Sequence, residues 1–507
     1  MSWEATNPPF ATDSLWPLME TLAPPVVAVV VTHDPGPWFD ETLASIASQD
    51  YAELSVLVLD SGSGDDLAVR VAEVLPSAYV RRFDENRGFG ATVNEVREMV
   101  DGAAYYLVCH DDVALFPDTV ALLVEEAFRS NAGVVSPKVV SWDDPERLIH
   151  VGMSVDKAGS VVERVQPNEI DHGQHDAVRD VFVAPGGATL VRADLFEELG
   201  GFDPDIVAMG EDLDLCWRAQ VVGARIIVAP DARIRHLEEM ASGARPITPG
   251  LTGAGSDQDA DEPVTLQELQ RRHELHAVLK CYGPFHLARV LPQVFVLAVA
   301  EVVVAEAAGN RVRARAVVRA WRWNLARLKP IRSQRKVLQA RRRLPDKEIR
   351  LLQIGGSARL AAYGRRVFQY GFHGAHADEL AALDEGAVAA ARHAGTPEPA
   401  TGHVSGRVRA ATWIVAALIV LIGCRGIIGG RLPAIGQFTP FPGWTAMWSQ
   451  FLGGWHPSGV GTTAPATPAL ALIGVVGTVL VGAMGLTQKV LVFGCIPVGV
   501  WGTVRST

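Results

Sequence analysis

The chain has 507 residues, too many for one ordinary domain, with 48% hydrophobic residues, a formal net charge of −11 and a mean hydropathy of +0.16. The acidic balance argues against a nucleic-acid-binding protein. The five scattered cysteines (Cys109, Cys216, Cys281, Cys424, Cys495) contain no C-x-x-C pair, which excludes a zinc cluster and a disulfide framework and fits a reducing compartment for the catalytic part.

Residues 1–24 read as a loose leader without the basic and apolar segments of a secretory signal. Val26 to Val31 is a continuous, mostly β-branched run, the pattern of a buried parallel strand. A helix over Trp38 to Ser48 and a strand over Leu54 to Leu59, ending at Asp60, follow. The same alternation continues with a helix over Leu67 to Leu75 and a strand over Ala78 to Phe83. It ends with a helix over Gly90 to Val100, a strand over Ala104 to Cys109, a helix over Phe116 to Asn131 and an extended segment over Gly133 to Val140. This alternation predicts an α/β domain with a mostly parallel sheet and helices on both faces, with ligands at the carboxyl ends of the strands. Residues 150–180 read as irregular, Phe182 to Val191 as a strand, and Asp194 to Leu199 as a helix closed by Gly200-Gly201. A helix over Asp212 to Val222, a strand over Arg225 to Val228, a mobile loop over Ala241 to Pro263 and a helix over Leu266 to Lys280 complete this half.

Polar residues collect where these strands end. Asp60, in Asp60-Ser61-Gly62-Ser63, can accept from a base or a ribose, or can simply open an Asx turn. Asn86-Arg87-Gly88-Phe89-Gly90 permits close backbone approach to a ligand, or is a plain strand-to-helix turn. His110-Asp111-Asp112 follows an apolar strand. Adjacent carboxylates there repel unless a proton or cation neutralises them, and hard cations such as Mg²⁺ or Mn²⁺ take one or two carboxylates beside substrate phosphates. Gly210-Glu211-Asp212 is either an ordinary helix start, where the dipole favours acids, or a site where Asp212 acts as a general base. His236 is a lone histidine of the kind that is usually structural, or, beside two aspartates, a borderline metal ligand.

In this order the set resembles family 2 glycosyltransferases, closest to the rhamnosyl- and galactofuranosyl-transferase-like branch of bacterial cell-envelope synthesis. The motifs are Thr32-His33-Asp34, Asp60-Ser61-Gly62-Ser63, Asn86 to Gly90 with Asn94, Asp111-Asp112, Gly187-Ala188, the run from Phe196 to Asp203, Gly210 to Arg218, and His236. The likeness covers roughly residues 25–280. It implies a GT-A fold and an enzyme using a nucleotide-sugar donor, UDP- or dTDP-linked. Thr32, Asp34 and Asp60 would hold the nucleoside, with Arg87 and Gly88 beside the donor. Asp111 and Asp112 would form the metal site for Mn²⁺ or Mg²⁺, with His236 as a further ligand. Glu211-Asp212 would be the catalytic pair with Asp212 as base. The motif His-Asp-Asp departs from a plain D-x-D, and Gln270-Arg271-Arg272-His273 only faintly echoes the signature of processive relatives, which favours one or few additions. No second nucleophile accompanies Asp212, so a single displacement with inversion is expected.

The remaining chain changes character. Leu287 to Ala308 is apolar but carries Glu301 and Glu306, and thirteen Lys and Arg residues follow between Arg311 and Arg343. Residues 281–345 therefore read as basic helices lying on a membrane surface, 346–408 as a linker with an Ala-rich helix over Ala375 to His393, and 409–507 as membrane-embedded. Spans are expected at about 410–429, 467–486 and 490–504, the last cut short as in a piece of a longer protein. This predicts a multi-pass protein of the bacterial inner membrane, its catalytic domain in the cytoplasm, acting in cell-wall biogenesis on a lipid-linked or glycan acceptor. The competing readings are a membrane scaffold or transport component with an inactive transferase-like domain, and a nucleotidyltransferase. The latter lacks a Gly-rich, Lys-bearing phosphate loop at the first strand.

Overall fold

The computed structural model describes residues 23–240, 242, 245, 264–307, 310–355, 441–454, 463 and 466–491. Four parallel strands make its first half. β1 (Val26–Thr32) lies between β2 (Leu54–Ser61) and β4 (Tyr105–Cys109), and β3 (Tyr79–Phe83) pairs with β2. Side chains alternate between the two faces of the sheet, and both faces are covered. Val29, Val31, Leu57 and Leu59 enter one apolar cluster, while Val26, Ala28, Val30, Val56 and Val58 enter another. The connecting helices are α1 (Phe39–Ala47), α2 (Ala68–Val74), α3 (Phe89–Val93) and α4 (Val96–Met99). The last two replace the single helix expected over Gly90 to Val100. Between them, Asn94 turns its amide to the Phe202 backbone, donating to its carbonyl (2.9 Å) and accepting from its N–H (2.7 Å).

The second half of the sheet is mixed. After β5 (Val113–Leu115) and α5 (Thr119–Ser130) comes β6 (Val134–Ser141). The stretch expected to be irregular holds β7 (Leu148–His150), the hairpin of β8 (Met153–Val155) with β9 (Val161–Glu163), and β10 (Arg179–Asp180). β11 (Ala188–Arg192) runs antiparallel between β4 and β6, and β12 (Ile226–His236) runs parallel to β6. β12 does not stop at Val228. A register shift between Ala229 and Arg233 accommodates Pro230, whose missing N–H would otherwise break the ladder, and the strand resumes to His236 opposite Val113. The result is a curled, mostly parallel sheet in the order β10-β12-β6-β11-β4-β1-β2-β3, flanked by helices: the GT-A arrangement.

α6 (Ala193–Leu199) ends at Gly200, whose left-handed φ of 79° suits a C-cap glycine, and α7 (Glu211–Val221) follows. Four further helices belong to the same compact unit as the sheet: α8 (Leu266–Cys281), α9 (Pro284–Ala307), α10 (Arg311–Ala326) and α11 (Leu328–Ala340). α8 packs against α7, α10 and α11. Buried charges fasten it: Lys280 joins Asp203 and Asp214, His276 Nε2 lies 3.0 Å from Asp203, and Arg218 donates to Asp214 (2.7 Å). Much of the basic block meets acids of this unit. Arg313 pairs with Glu301, Arg319 with Glu268, Arg343 with Glu198, and Arg342 with Asp346.

A second unit holds α12 (Trp444–Leu452) and α13 (Pro468–Val479). Trp448 packs over Gly474 and donates from Nε1 to Thr478 (3.1 Å). The span expected over 467–486 is not one helix. The chain breaks at Val481 (φ 53°) and Gly482 (φ 79°) and turns by 118° into a helical stretch over 484–491. The expected helix over Ala375 to His393, the span at 410–429 and nearly all of that at 490–504 lie outside the described residues.

Candidate active site

The carboxyl ends of β1, β2 and β3 are knitted into one platform. Asp34 is exposed, with a φ of 46°. Its N–H donates to Ser63 Oγ (2.9 Å), and its Oδ1 accepts from the Gly64 N–H (2.7 Å). Asp60 is buried. Oδ1 accepts from the Ser63 N–H (3.0 Å), so one oxygen does close an Asx-type turn, while Oδ2 makes no hydrogen bond among the described residues and faces Arg82 at 3.6 Å. Gly62, at φ 74°, lets this loop touch the backbone of Glu85 and Asn86, which a Cβ would strike at 2.6–2.9 Å. Gly88 adopts φ 81° and donates to Asn86 Oδ1. The Arg87 guanidinium turns outward to Glu95 (2.7 Å), leaving its backbone N–H on Ser61.

The end of β4 carries the densest charge. Asp111 is enclosed by Thr32, whose hydroxyl donates to Oδ2 (2.8 Å), and by Arg245, which donates to Oδ1 (2.9 Å). Burial pushes the Asp111 carboxyl up, with Arg245 opposing that effect. Arg245 belongs to the segment expected to be a mobile loop, most of which lies outside the described residues.

Asp112 points elsewhere. His236 Nε2 lies 3.1 Å from its Oδ1, His110 Nδ1 3.8 Å from the same oxygen, and the Glu239 N–H donates to Oδ2 (3.0 Å). Burial works against ionisation here, but His236, His110 and the Glu239 N–H hold the carboxyl well below the ordinary range. His110, Asp112 and His236 present ligand atoms within 4.8 Å of one another and could hold a metal ion, so the group gathered with Asp112 and His236 is His110, while Asp111 is engaged by Thr32 and Arg245. Register explains this arrangement, because alternate residues past the strand end face the same way. Phe89 buttresses the His110 ring edge-on at 4.7 Å.

Asp212 stands across from this cluster at the start of α7. A small pocket is lined by His110, Gly186, Gly187 and Asp212. A Cβ on Gly186 would lie 2.9 Å from Asp212 Oδ2 and 3.2 Å from His110 Cε1 and Nε2, so carboxylate and imidazole flank one backbone position where a larger residue would push one of them aside. Gly187, at φ 110°, similarly gives room to His236. Burial raises Asp212 to about 6, with the Gly186 N–H, His150 and His236 acting the other way. Glu211 is raised to about 7, first by burial and then by Asp212, and its Oε2 makes no hydrogen bond among the described residues.

Sequence reasoning did not single out His150, Glu238, Gly186 or Arg245. His150 sits between Glu163 (2.9 Å) and Glu238 (3.3 Å); burial opposes its charge, but the two carboxylates raise it to about 10. No local pattern announces it, since its partners are distant in the chain.

Residues 24–246 match the family described as glycosyltransferase-like family 2. Over 254 residues the chain is 27% identical to the N-acetylglucosaminyl-diphospho-decaprenol L-rhamnosyltransferase of Mycobacterium tuberculosis, covering 44% of this chain and 78% of that one. It is 25% identical over 224 residues to the O-antigen biosynthesis protein RfbC of Myxococcus xanthus, covering 42% and 17%. Among solved structures, a mannosyltransferase from Pyrobaculum calidifontis is 20% identical with a TM-score of 0.37, covering 63% of this chain and 86% of that one. The protein is a sugar-transferring enzyme with a GT-A catalytic domain. Residues 24–246 carry the glycosyltransferase-like family 2 match, and the rhamnosyltransferase likeness covers a comparable share of the chain.

Proposed function

We propose that the chain moves a sugar from a UDP- or dTDP-linked donor onto a lipid-linked or cell-wall glycan acceptor, with inversion at the anomeric carbon. The observation that carries this reading is the placement of a raised-pKa carboxylate, Asp212, across Gly186 from the His110–Asp112–His236 cluster. A base that titrates near neutrality is suited to take a proton from an acceptor hydroxyl as it attacks the sugar. The lipid-diphosphate substrate in the name of the mycobacterial relative supports the acceptor class.

Two imidazoles and one low-pKa carboxylate, nearly all buried, fit a divalent ion, and this donor set suits Mn²⁺ better than Mg²⁺, which prefers oxygen ligands. When bound, such an ion supplies positive charge to the departing diphosphate. The protein's own residues do the rest. Asp34 and Asp60 offer acceptors to the nucleoside at the β1–β2 platform, Arg87 and Gly88 border the donor, Thr32 and Arg245 hold Asp111 in place, and Glu211 shares the field around Asp212. In this reading residues 25–280 form the catalytic domain and 281–345 rest on the membrane. Residues 346–408 link these to a membrane region over 409–507, anchored by the apolar runs at 410–429 and 490–504, with catalysis on the cytoplasmic side of a bacterial inner membrane, where nucleotide sugars are made.

The test is titration of the full chain with UDP-, dTDP- and GDP-sugars, with and without Mn²⁺, beside Asp112→Ala and Asp212→Asn. Metal-dependent binding of one donor, lost in Asp112→Ala and kept without transfer in Asp212→Asn, supports the reading. Folded protein that binds no donor, or transfer that persists in Asp212→Asn, refutes it.

A further inference from the structure

α9 is apolar on two sides. Val290, Val294, Ala298 and Ala305 face inward, each 3–6% exposed. Phe285 (93% exposed), Phe295 (54%), Val296 (64%), Val299 (46%) and Val303 (56%) face outward, a stripe running about 27 Å at 1.5 Å per residue. Contiguous exposed apolar surface of this length marks an interaction site. By length and composition the helix is able to cross a membrane.

The topology argues against crossing. α8 and α10, which flank α9 in sequence, pack on each other, and α8 is fastened to the sheet unit through Lys280 and His276. α10 runs back along α9, where Glu301 meets Arg313 of α10 (2.9 Å) and Arg271 of α8 (3.1 Å). Glu301 therefore lies on the inner side of the helix, away from the stripe. If α9 crossed a bilayer it would draw Arg311, Arg313 and Arg315 in with it, at about 2.5–3.5 kcal/mol or more for each at the centre.

Charge identifies the occupant. Residues 307–345 contain no Asp or Glu and thirteen Lys or Arg, in a chain of net charge −11. The exposed positions of α10 include Arg311, Val312, Arg315, Val318, Arg322 and Leu325, the mixture of cationic and aliphatic side chains found on helices that lie in an anionic membrane surface. We propose that the outward stripe of α9 seats this unit on an anionic bilayer, with α9 lying in the plane of the leaflet rather than across it. The proposal deepens the transferase reading, in which the acceptor is lipid-borne, by naming the face that meets the lipid.

The test places a spin label, through a genetically encoded keto residue, at 285, 295, 299 or 303 of the full chain in phosphatidylglycerol/phosphatidylcholine vesicles. Collision rates with oxygen and with a nickel chelate give the depth. All four labels at one shallow depth, about 5–10 Å below the headgroups, is the expected result. Depth running through the midplane along the helix overturns the in-plane arrangement. Full nickel access at every position overturns the bilayer seat and points to a protein partner. Unchanged depth in phosphatidylcholine alone overturns the requirement for anionic lipid. Donor binding with Mn²⁺, measured on the same samples, separates the outcomes: labels seated in lipid on a protein that binds no donor leave this proposal standing and refute the transferase reading.

Discussion

Gly186→Ala is the sharpest probe of the catalytic geometry. The added methyl would come 2.9 Å from Asp212 Oδ2 and 3.2 Å from two atoms of His110, closer than carbon normally approaches either. Gly186 is not in a left-handed conformation, so the substitution carries no backbone penalty and leaves intact the N–H that supports Asp212. Its effect must therefore come from moving the base, the imidazole or both by several tenths of an ångström. Overpacking of this kind costs about 1–3 kcal/mol of stability, which a domain of this size tolerates. Misplacing reacting groups by up to about 1 Å costs up to about 10²-fold in rate. The expected outcome is a folded variant that binds donor with modestly weakened metal dependence and turns over about 10- to 100-fold more slowly. Transfer from a radiolabelled donor, with circular dichroism as a check on folding, measures both. A folded variant with wild-type kcat would show that Asp212 and His110 do not act across this position.

Three further outcomes follow from the same geometry. Alanine at His110, Asp112 or His236 should weaken Mn²⁺ binding at least about 10-fold, within the range seen when metal-site residues are altered. Asp111→Asn should change it far less, because Thr32 and Arg245 hold that carboxylate. Metal titration by electron paramagnetic resonance distinguishes them. As the proposed base, Asp212 must be ionised to accept a proton, so kcat/KM should fall as pH drops through about 6, the value to which it is raised, and stay level above it. Lys280→Met leaves Asp203 and Asp214 buried with one cationic partner fewer each. It should destabilise the catalytic unit by about 3–5 kcal/mol in urea unfolding, and an unchanged midpoint would refute the structural role given to that network.

Where the chemistry is local, the sequence was readable. The β-branched run at Val26 to Val31 and the acid at the end of each strand announce a parallel sheet with a polar edge, and Gly200-Gly201 marks a helix end that the structure reproduces. Long-range features were not readable. Nothing near Ala188 reveals that its strand inserts antiparallel between β4 and β6. Pro230 suggests a strand end where a bulge instead carries β12 on to His236. The choice between Asp111 and His110 depends on Thr32 and Arg245, residues 79 and 134 positions away from Asp111, so a motif alone cannot make it. Glu301 weighs against a buried or spanning helix in the sequence because its two arginine partners cannot be seen there; in the fold they neutralise it.

Asp212 should also make the protein less stable, and this consequence separates a catalytic group from a structural one. An aspartate whose folded pKa rises from 3.8 to about 6 prefers to be protonated in the native state. Folding is then penalised as pH climbs past the unfolded value, and the full penalty is present above the folded one. Two pKa units correspond to about 3 kcal/mol, reduced to about 1–3 kcal/mol by the partial exposure of the side chain. Asp212→Asn removes the charge and relieves its repulsion with Glu211, so it should stabilise the catalytic unit at pH 8 while abolishing transfer, with the gain shrinking to nothing near pH 4. Stabilisation by removal of an active-site charge is the signature of strain held for catalysis. Chemical denaturation of the two proteins at pH 8 and pH 4.5 measures it. An asparagine variant no more stable than wild type at pH 8 would mean that Asp212 is satisfied in the resting fold and is not poised as a base.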